Sequence, residues 1–446
     1  MVRRLFGTAE SAGFLSYVRR ILAVSAVLSL SISAQGQLFG HRKKDAKGAA
    51  PAEQSKPEHP ASQPAAFSIP VEPLGFFAPG AIYQGQRDSL VSLDFLDEDH
   101  LLFTFHAPGL IHREGNADAA HARQIRAVVL ALPTGSVTAE ALWTLHDRGR
   151  YLWMLNNGQF LLRDQNDLKV GDASLELKPA LHFRGPLLWV EMDPAQRLMV
   201  AESQEAQGAK PQPGDVPSPA TASAQIDIGD APSDAKPDIV LRILRRPGGP
   251  VMLVSRTRLT VHLPINSEGF VETLRGKGHG WVLNMNYFRG GGRVIGSLES
   301  MCAPSVEFAS DSEVLVTTCN PDNSRWMVAM TTDGKRLWNA AKPPKQIWPR
   351  LIMAPNGQRV ARETLLATHE VSTFAPLSFD DLKGQLVEVY NAATGKVELT
   401  AQASPILDGG GNVAISPTAR RVAVLDAGAI KVYELPATAP EQHAAH

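Results

Sequence analysis

Apolar residues along this chain fall in short runs, each bounded by residues that turn a chain, and the runs repeat in sets of four. The clearest set begins at Ser305-Val306-Glu307-Phe308, turns at Ala309-Ser310-Asp311-Ser312 and returns through Glu313-Val314-Leu315-Val316-Thr317-Thr318. A third run, Arg325-Trp326-Met327-Val328-Ala329-Met330, leads through Asp333-Gly334-Lys335 into a fourth, Arg336-Leu337-Trp338-Asn339. Brief runs rich in β-branched and aromatic residues, with Asp, Ser and Gly between them, predict strands and tight turns. Helical periodicity is nearly absent between Ser89 and Leu435.

The first hairpin of this set recurs. Copies begin at Leu93-Asp94-Phe95, Trp153-Met154-Leu155, Val190-Glu191-Met192, Leu351-Ile352-Met353 and Val413-Ala414-Ile415, with a degenerate copy at Leu259 to Gly269. The second hairpin recurs around Pro133-Thr134-Gly135, Pro247-Gly248-Gly249, Gly290-Gly291-Gly292 and Thr394-Gly395-Lys396, where glycine supplies the positive φ that such turns need. Arg289-Gly290-Gly291-Gly292-Arg293 lies between strands with no helix start after it, so it reads as a turn and not a phosphate cradle. Repeats of four antiparallel strands, about 45 residues each, predict an all-β fold, a β-propeller of seven four-stranded blades. The last repeat stops after its third strand, Ile430 to Leu435, so the segment Phe67 to Gln86 is expected to supply the missing strand and close the ring.

These runs resemble the blades of bacterial exported propellers of the WD-repeat-like, TolB-like and pyrroloquinoline-quinone-repeat kinds. Ser416-Pro417 and Ala354-Pro355-Asn356-Gly357 are similar to the Ser-Pro-Asp-Gly turn of WD-like and TolB-like blades. Leu132-Pro133-Thr134-Gly135 through Trp143, and Thr332-Asp333-Gly334 through Trp338, resemble the outer strands of quinone-type repeats. The resemblance covers most of residues 85–436 and concerns blade grammar. The chain has no adjacent cysteine pair, no recognisable quinone site and no regular Gly-His…Trp-Asp pair. No cofactor is therefore expected.

The flanks read differently. Arg19-Arg20, the apolar stretch Ile21 to Ile32 and the small residues of Ala34-Gln35-Gly36 predict a Sec-type signal peptide over residues 1–36. The apolar stretch falls short of the roughly 20 residues of a membrane span, and no transmembrane segment is expected after cleavage. A bacterial periplasmic or secreted location follows. Residues 37–66, an insertion at 203–237 and the tail 437–446 are polar or low in complexity and read as disordered, leaving 67–436 for the propeller. A net charge of −1 gives no footprint for nucleic acid.

Two cysteines occur, Cys302 and Cys319. A turn centred on Ser310-Asp311 sets residues whose numbers sum to 621 opposite each other, which places the pair face to face on neighbouring strands as a disulfide. The tryptophans lie on or beside strands and are expected to pack between blades.

The long insertions, His106 to Gln124, Ser203 to Pro237 and Arg362 to Gly384, all fall between second and third strands, so one rim carries them. Their chemistry-bearing residues are the candidate binding set: His106, His112, Glu114 and His121 from the first, and Glu363, His369, Asp380 and Asp381 from the third. Histidine beside carboxylate suits a cation or acid–base work, but the spacing matches no defined metal motif, and the metal identity stays open. The expected function is a non-catalytic cell-envelope or secreted module, a monomer that holds a protein, peptide or glycan at this rim. Two alternatives stand beside it. One is a propeller enzyme at the channel mouth, a metal-assisted hydrolase or lyase or a quinone-type redox enzyme. The other is a periplasmic assembly factor for envelope proteins.

Overall fold

The computed structural model describes residues 63–78, 90–107, 122–146, 150–206, 238–246, 249–257, 260–319, 326–341, 345–371, 378–407 and 409–438. β1 (Phe67–Pro70) stands ahead of the repeats. Blade 1 is β2 (Ser92–Phe95), β3 (His100–His106), β4 (Arg123–Ala131) and β5 (Ser136–Leu145). Blade 2 is β6 (Leu152–Leu155), β7 (Gln159–Asp164), β8 (Asp167–Gly171) and β9 (Lys178–His182). Blade 3 is β10 (Leu187–Met192), β11 (Leu198–Gln204), β12 (Ile239–Arg245) and β13 (Val251–Thr257). Blade 4 is β14 (Gly269–Arg275), β15 (Gly280–Tyr287) and β16 (Gly292–Glu299). Blade 5 is β17 (Ser305–Phe308), β18 (Glu313–Thr317), β19 (Trp326–Thr331) and β20 (Arg336–Ala341). Blade 6 is β21 (Gln346–Met353), β22 (Arg359–Ala367), β23 (Leu382–Asn391) and β24 (Val397–Ala403). Blade 7 is β25 (Val413–Ile415), β26 (Arg421–Asp426) and β27 (Ala429–Glu434), completed by β1.

The fold is the expected seven-bladed β-propeller, and the expected closure holds. β1 pairs antiparallel with β27, Phe67 opposite Val432 and Ile69 opposite Ile430. The innermost strand of blade 4 is reduced. Residues 261–265 run beside β14 through a single bridge, Ile265 to Phe270, and the Val271 N–H donates to the Pro264 carbonyl at 3.1 Å. Pro264 has no N–H to return, which explains why this repeat reads as degenerate in the sequence.

Among the described residues, a buried apolar cluster fills the space between each pair of neighbouring blades. Leu101, Phe103 and Phe105 of β3 pack toward blade 7, while Leu102 packs toward blade 2. Val128 and Leu130 of β4 divide from Ala127 and Val129 in the same way. Central strands are thus buried on both faces, which is why they read as continuous apolar runs while the outer β5 and β9 are largely exposed. The tryptophans mostly pack as expected: Trp143 meets Phe160 of the next blade with centroids 5.5 Å apart, and Trp338 stacks on Tyr390 across the blade 5–6 seam. At that seam Gly357 has φ +73°, and a Cβ there would lie 2.9 Å from the Ala309 carbonyl oxygen. Trp189 departs from the rule and is 42% exposed.

Strand direction sorts the connections onto two rims. First-to-second and third-to-fourth turns are tight, none longer than the six residues 172–177. The opposite rim carries the second-to-third connections, which are long in blade 1 (107–122), blade 3 (205–238) and blade 6 (368–381). These bounds trim the sequence-based insertions, because Ser203 and Gln204 belong to β11, and Arg362 and Glu363 belong to β22. Among the described residues no helix is long and apolar enough to cross a membrane.

Cys302 and Cys319 form the expected disulfide, Cα to Cα 5.6 Å. The ladder of β17 and β18 pairs Ser305 with Thr317 and Phe308 with Val314, so facing residues sum to 622 and not 621. The bridge therefore lies just past the ladder, and it ties the blade 4–5 connector to the start of the second-to-third connection of blade 5. With its ends 17 positions apart in the chain, loss of the bridge costs about 3 kcal/mol through the freed unfolded chain. Urea unfolding of the Cys302→Ala/Cys319→Ala chain is expected to show that loss, and an unchanged midpoint would mean the bridge carries no stability.

Candidate functional site

His106, His369, Asp380 and Asp381 lie on the long-connection rim. His106 ends β3 and is exposed. Asp380 and Asp381 sit in a short helical turn capped by Ser378, whose hydroxyl accepts from the Asp380 N–H. His369 Nδ1 is 3.9 Å from Asp381, both at the surface. His112, Glu114 and His121 lie outside the described residues. Glu363 departs from the set, because it is a strand residue, 3% exposed, paired across the ladder with Arg350. Gln385 donates to one of its carboxylate oxygens and the other has no partner. The rim residues from blades 1 and 6 are thus placed on one face, but nothing described brings them into one constellation.

The charges that do converge belong to the central channel. Among the described residues, six of the seven blades each put one ionisable side chain on or just before the innermost strand: Asp94, Arg150, Glu191, His262, Glu307 and Arg350. Acid and base alternate around the ring in blade order. An odd number of blades cannot complete an alternation, and blade 7 instead presents Val413-Ala414-Ile415. Beside it, the Arg350 guanidinium donates to the Gly409 carbonyl. Asp94, Glu191 and Glu307 share one register position, the last but one before the first turn, opposite Leu102, Val200 and Leu315.

Contacts in the ring are close. His262 Nδ1 is 3.0 Å from Glu191 Oε2, and its Nε2 is 3.0 Å from the Val306 carbonyl and 3.4 Å from Glu307 Oε1. Trp189 Nε1 points at the same Glu191 oxygen from 3.4 Å. Arg150 donates from Nε to the Leu152 carbonyl at 3.1 Å and lies 5.4 Å above the Trp153 ring. Burial works against a charged His262, but the bonds and charges of Glu191 and Glu307 more than reverse it and push its pKa up to about 11.

Among the described residues the carboxyls of Asp94, Asp193, Glu202 and Glu363 are all raised, each chiefly through burial. Asp94 is raised to about 6 despite the Ser92 hydroxyl and the two arginines, Glu363 to about 7 despite Arg350, and Glu202 to about 8 despite the Val261 N–H and with Glu191 adding to the rise. Each holds its proton in the folded chain at pH values where the unfolded chain has lost it. Folded-state proton binding is then in excess between about pH 4 and 8, and stability falls as pH rises through that window. Urea midpoints are expected to be lower at pH 8.5 than at pH 5.5, with a shallower fall in Glu363→Gln. A midpoint that rises with pH would mean that these carboxyls fold ionised.

Reading the sequence missed this ring, although a signal was present. Leu93-Asp94-Phe95, Val190-Glu191-Met192, Val261-His262-Leu263 and Val306-Glu307-Phe308 each set one ionisable residue between two apolar ones on the strand nearest the axis.

The chain matches no protein-family model and no curated protein. Among solved structures it is similar to the acylaminoacyl peptidase of Pyrococcus horikoshii, with 8% identity and a TM-score of 0.46 over 80% of this chain and 52% of that one. It is also similar to the WD40 domain of Toxoplasma gondii coronin (9%, TM-score 0.43, 86% and 87% covered) and to a putative TolB from Agrobacterium tumefaciens (10%, 0.37, 67% and 94%). The chain spans about half the length of the peptidase it matches. Likeness at this identity concerns the propeller fold.

Proposed function

We propose that the chain is a binding or scaffolding module of the cell envelope or the secreted space, non-catalytic, and that it holds a protein, peptide or glycan on its long-connection rim. The observation that carries this is the asymmetry of the two rims. One is trimmed to turns of at most six residues, while the other bears three long connections and the disulfide that pins its edge. Rigid scaffolds place recognition on such loops. The signal-like leader and the bridged cysteines support an oxidising compartment.

A photo-cross-linking residue placed at His369, on the long-connection rim, is expected to give a discrete adduct in the native host. The same residue at Asp333, in a turn of the opposite rim, is expected to give none. Equal labelling from both positions, or labelling from Asp333 alone, would overturn the reading.

A further inference from the structure

We infer that Glu191, His262 and Glu307 form a binding site for one divalent first-row metal ion on the wall of the central channel. The three residues come from three successive blades, and nothing in the long-connection rim contributes to them. A nitrogen of His262 and one oxygen from each glutamate all lie within 4.8 Å of one another. Metal bonds of about 2.0–2.2 Å to imidazole and carboxylate need only a small inward movement from that spread.

Second-shell geometry supports the assignment. His262 Nε2 donates to the Val306 carbonyl at 3.0 Å and lies 3.4 Å from Glu307 Oε1, which leaves Nδ1, 3.0 Å from Glu191 Oε2, as the ligating nitrogen, with the Glu307 carboxylate swinging past the ring edge to join it. A ligating histidine ordinarily has its other ring N–H anchored in this way. Trp189 Nε1 sits on the Glu191 carboxylate and helps to fix its orientation. One imidazole and two carboxylates are the donor set of Zn²⁺, Mn²⁺ and related ions, not of soft, thiolate-seeking metals. The site is also reachable, since the His262 and Glu307 side chains are 36% and 35% exposed. Water can therefore fill the remaining coordination positions.

Charge is consistent with an ion there. Two glutamate carboxylates face the site, and the guanidiniums of Arg150 and Arg350 in the neighbouring blades are the charges that oppose an ion there.

This inference is independent of the rim function, and its test does not use a partner. The full chain is stripped with chelator, exchanged into buffer, and titrated with ZnCl₂ and with MnCl₂, followed by native mass spectrometry and calorimetry. One equivalent is expected to bind, retained in the wild type and in His369→Ala. Glu191→Gln and Glu307→Gln, which keep size and a hydrogen-bonding oxygen, are each expected to weaken it by more than the roughly 10–100-fold that loss of an outer-shell partner costs. Circular-dichroism melting identifies which of the two variants keeps the fold, and the affinity is read from that one. The chain has 13 histidines, so stoichiometry alone does not decide. Binding that survives both glutamate substitutions, or that disappears in His369→Ala, overturns the site, as does a wild type that takes up neither ion.

Discussion

A chain lacking residues 63–78 is expected to lose its cooperative unfolding transition altogether. This segment supplies β1, and β1 is the outermost strand of blade 7. Its loss removes the ladder to β27 and uncovers the long edge of that strand. Packing is lost as well. Ile69, Val71, Leu74 and Phe76 are buried in the cluster that joins blade 7 to blade 1. At about 1.5–3 kcal/mol for each such side chain, the segment contributes about 6–12 kcal/mol, comparable with the whole stability of an ordinary domain. Ile69→Asp separates the two effects, since it spares the backbone ladder and places a charge in the seam. It is expected to lower the melting temperature sharply while leaving a transition. A deletion variant that melts at the wild-type temperature would show that the ring does not depend on this closure.

Arg359→Ala is expected to cost about 3–5 kcal/mol, the range for removing one partner from a buried charge pair. Arg359 is 1% exposed at the start of β22. Its Nε donates to Glu398 on β24 at 2.6 Å, and its two terminal nitrogens donate at 2.6 Å to the carbonyls of Ala419 and Pro436. One guanidinium thus joins blade 6 to the first turn of blade 7 and to the chain just past β27, next to the closure. Alanine leaves a carboxylate and two carbonyls without their donor. Lysine keeps the charge but cannot reach three acceptors with its compact head, so Arg359→Lys is expected to recover only part of the loss. Glu398→Gln combined with Arg359→Ala is expected to cost less than the sum of the two single changes, because both remove the same interaction. Thermal and urea unfolding of the four chains checks this, and strict additivity would mean that the Arg359–Glu398 contact carries no energy.

The pH dependence, the disulfide and the channel ion belong to the same economy of burial. A propeller buries its strands from both sides, so polar groups survive only at the axis, at the rims, or with dedicated partners. Gln385 shows the last case. It donates to Glu363 and the Leu407 carbonyl and accepts from the Leu407 N–H and Asn412, which links blade 6 to the connector before blade 7.

What the sequence determined by itself was local and repeated. Turn chemistry at Ser310-Asp311, Asn356-Gly357 and Ser416-Pro417, with apolar runs between such turns, sufficed for the blades, their number and the unfinished last repeat that calls for β1. The cysteine pair was legible too, because it spans a single hairpin. Its register was not, since one residue of shift in that turn lies below what a run of apolar residues can specify. Blade 4 was legible only as a weak copy until the position of Pro264 on the inner segment was known. That Asp94, Arg150, Glu191, His262, Glu307 and Arg350 form one ring was decided by tertiary structure, although the sequence sets four of the six between two apolar residues. Each of these residues is an ordinary charged position within its own hairpin, and their neighbours in the ring lie in other blades, tens of residues away. Only when β1 closes seven blades about one axis do the inner strands face each other, and only then does alternation of acid and base become a physical interaction.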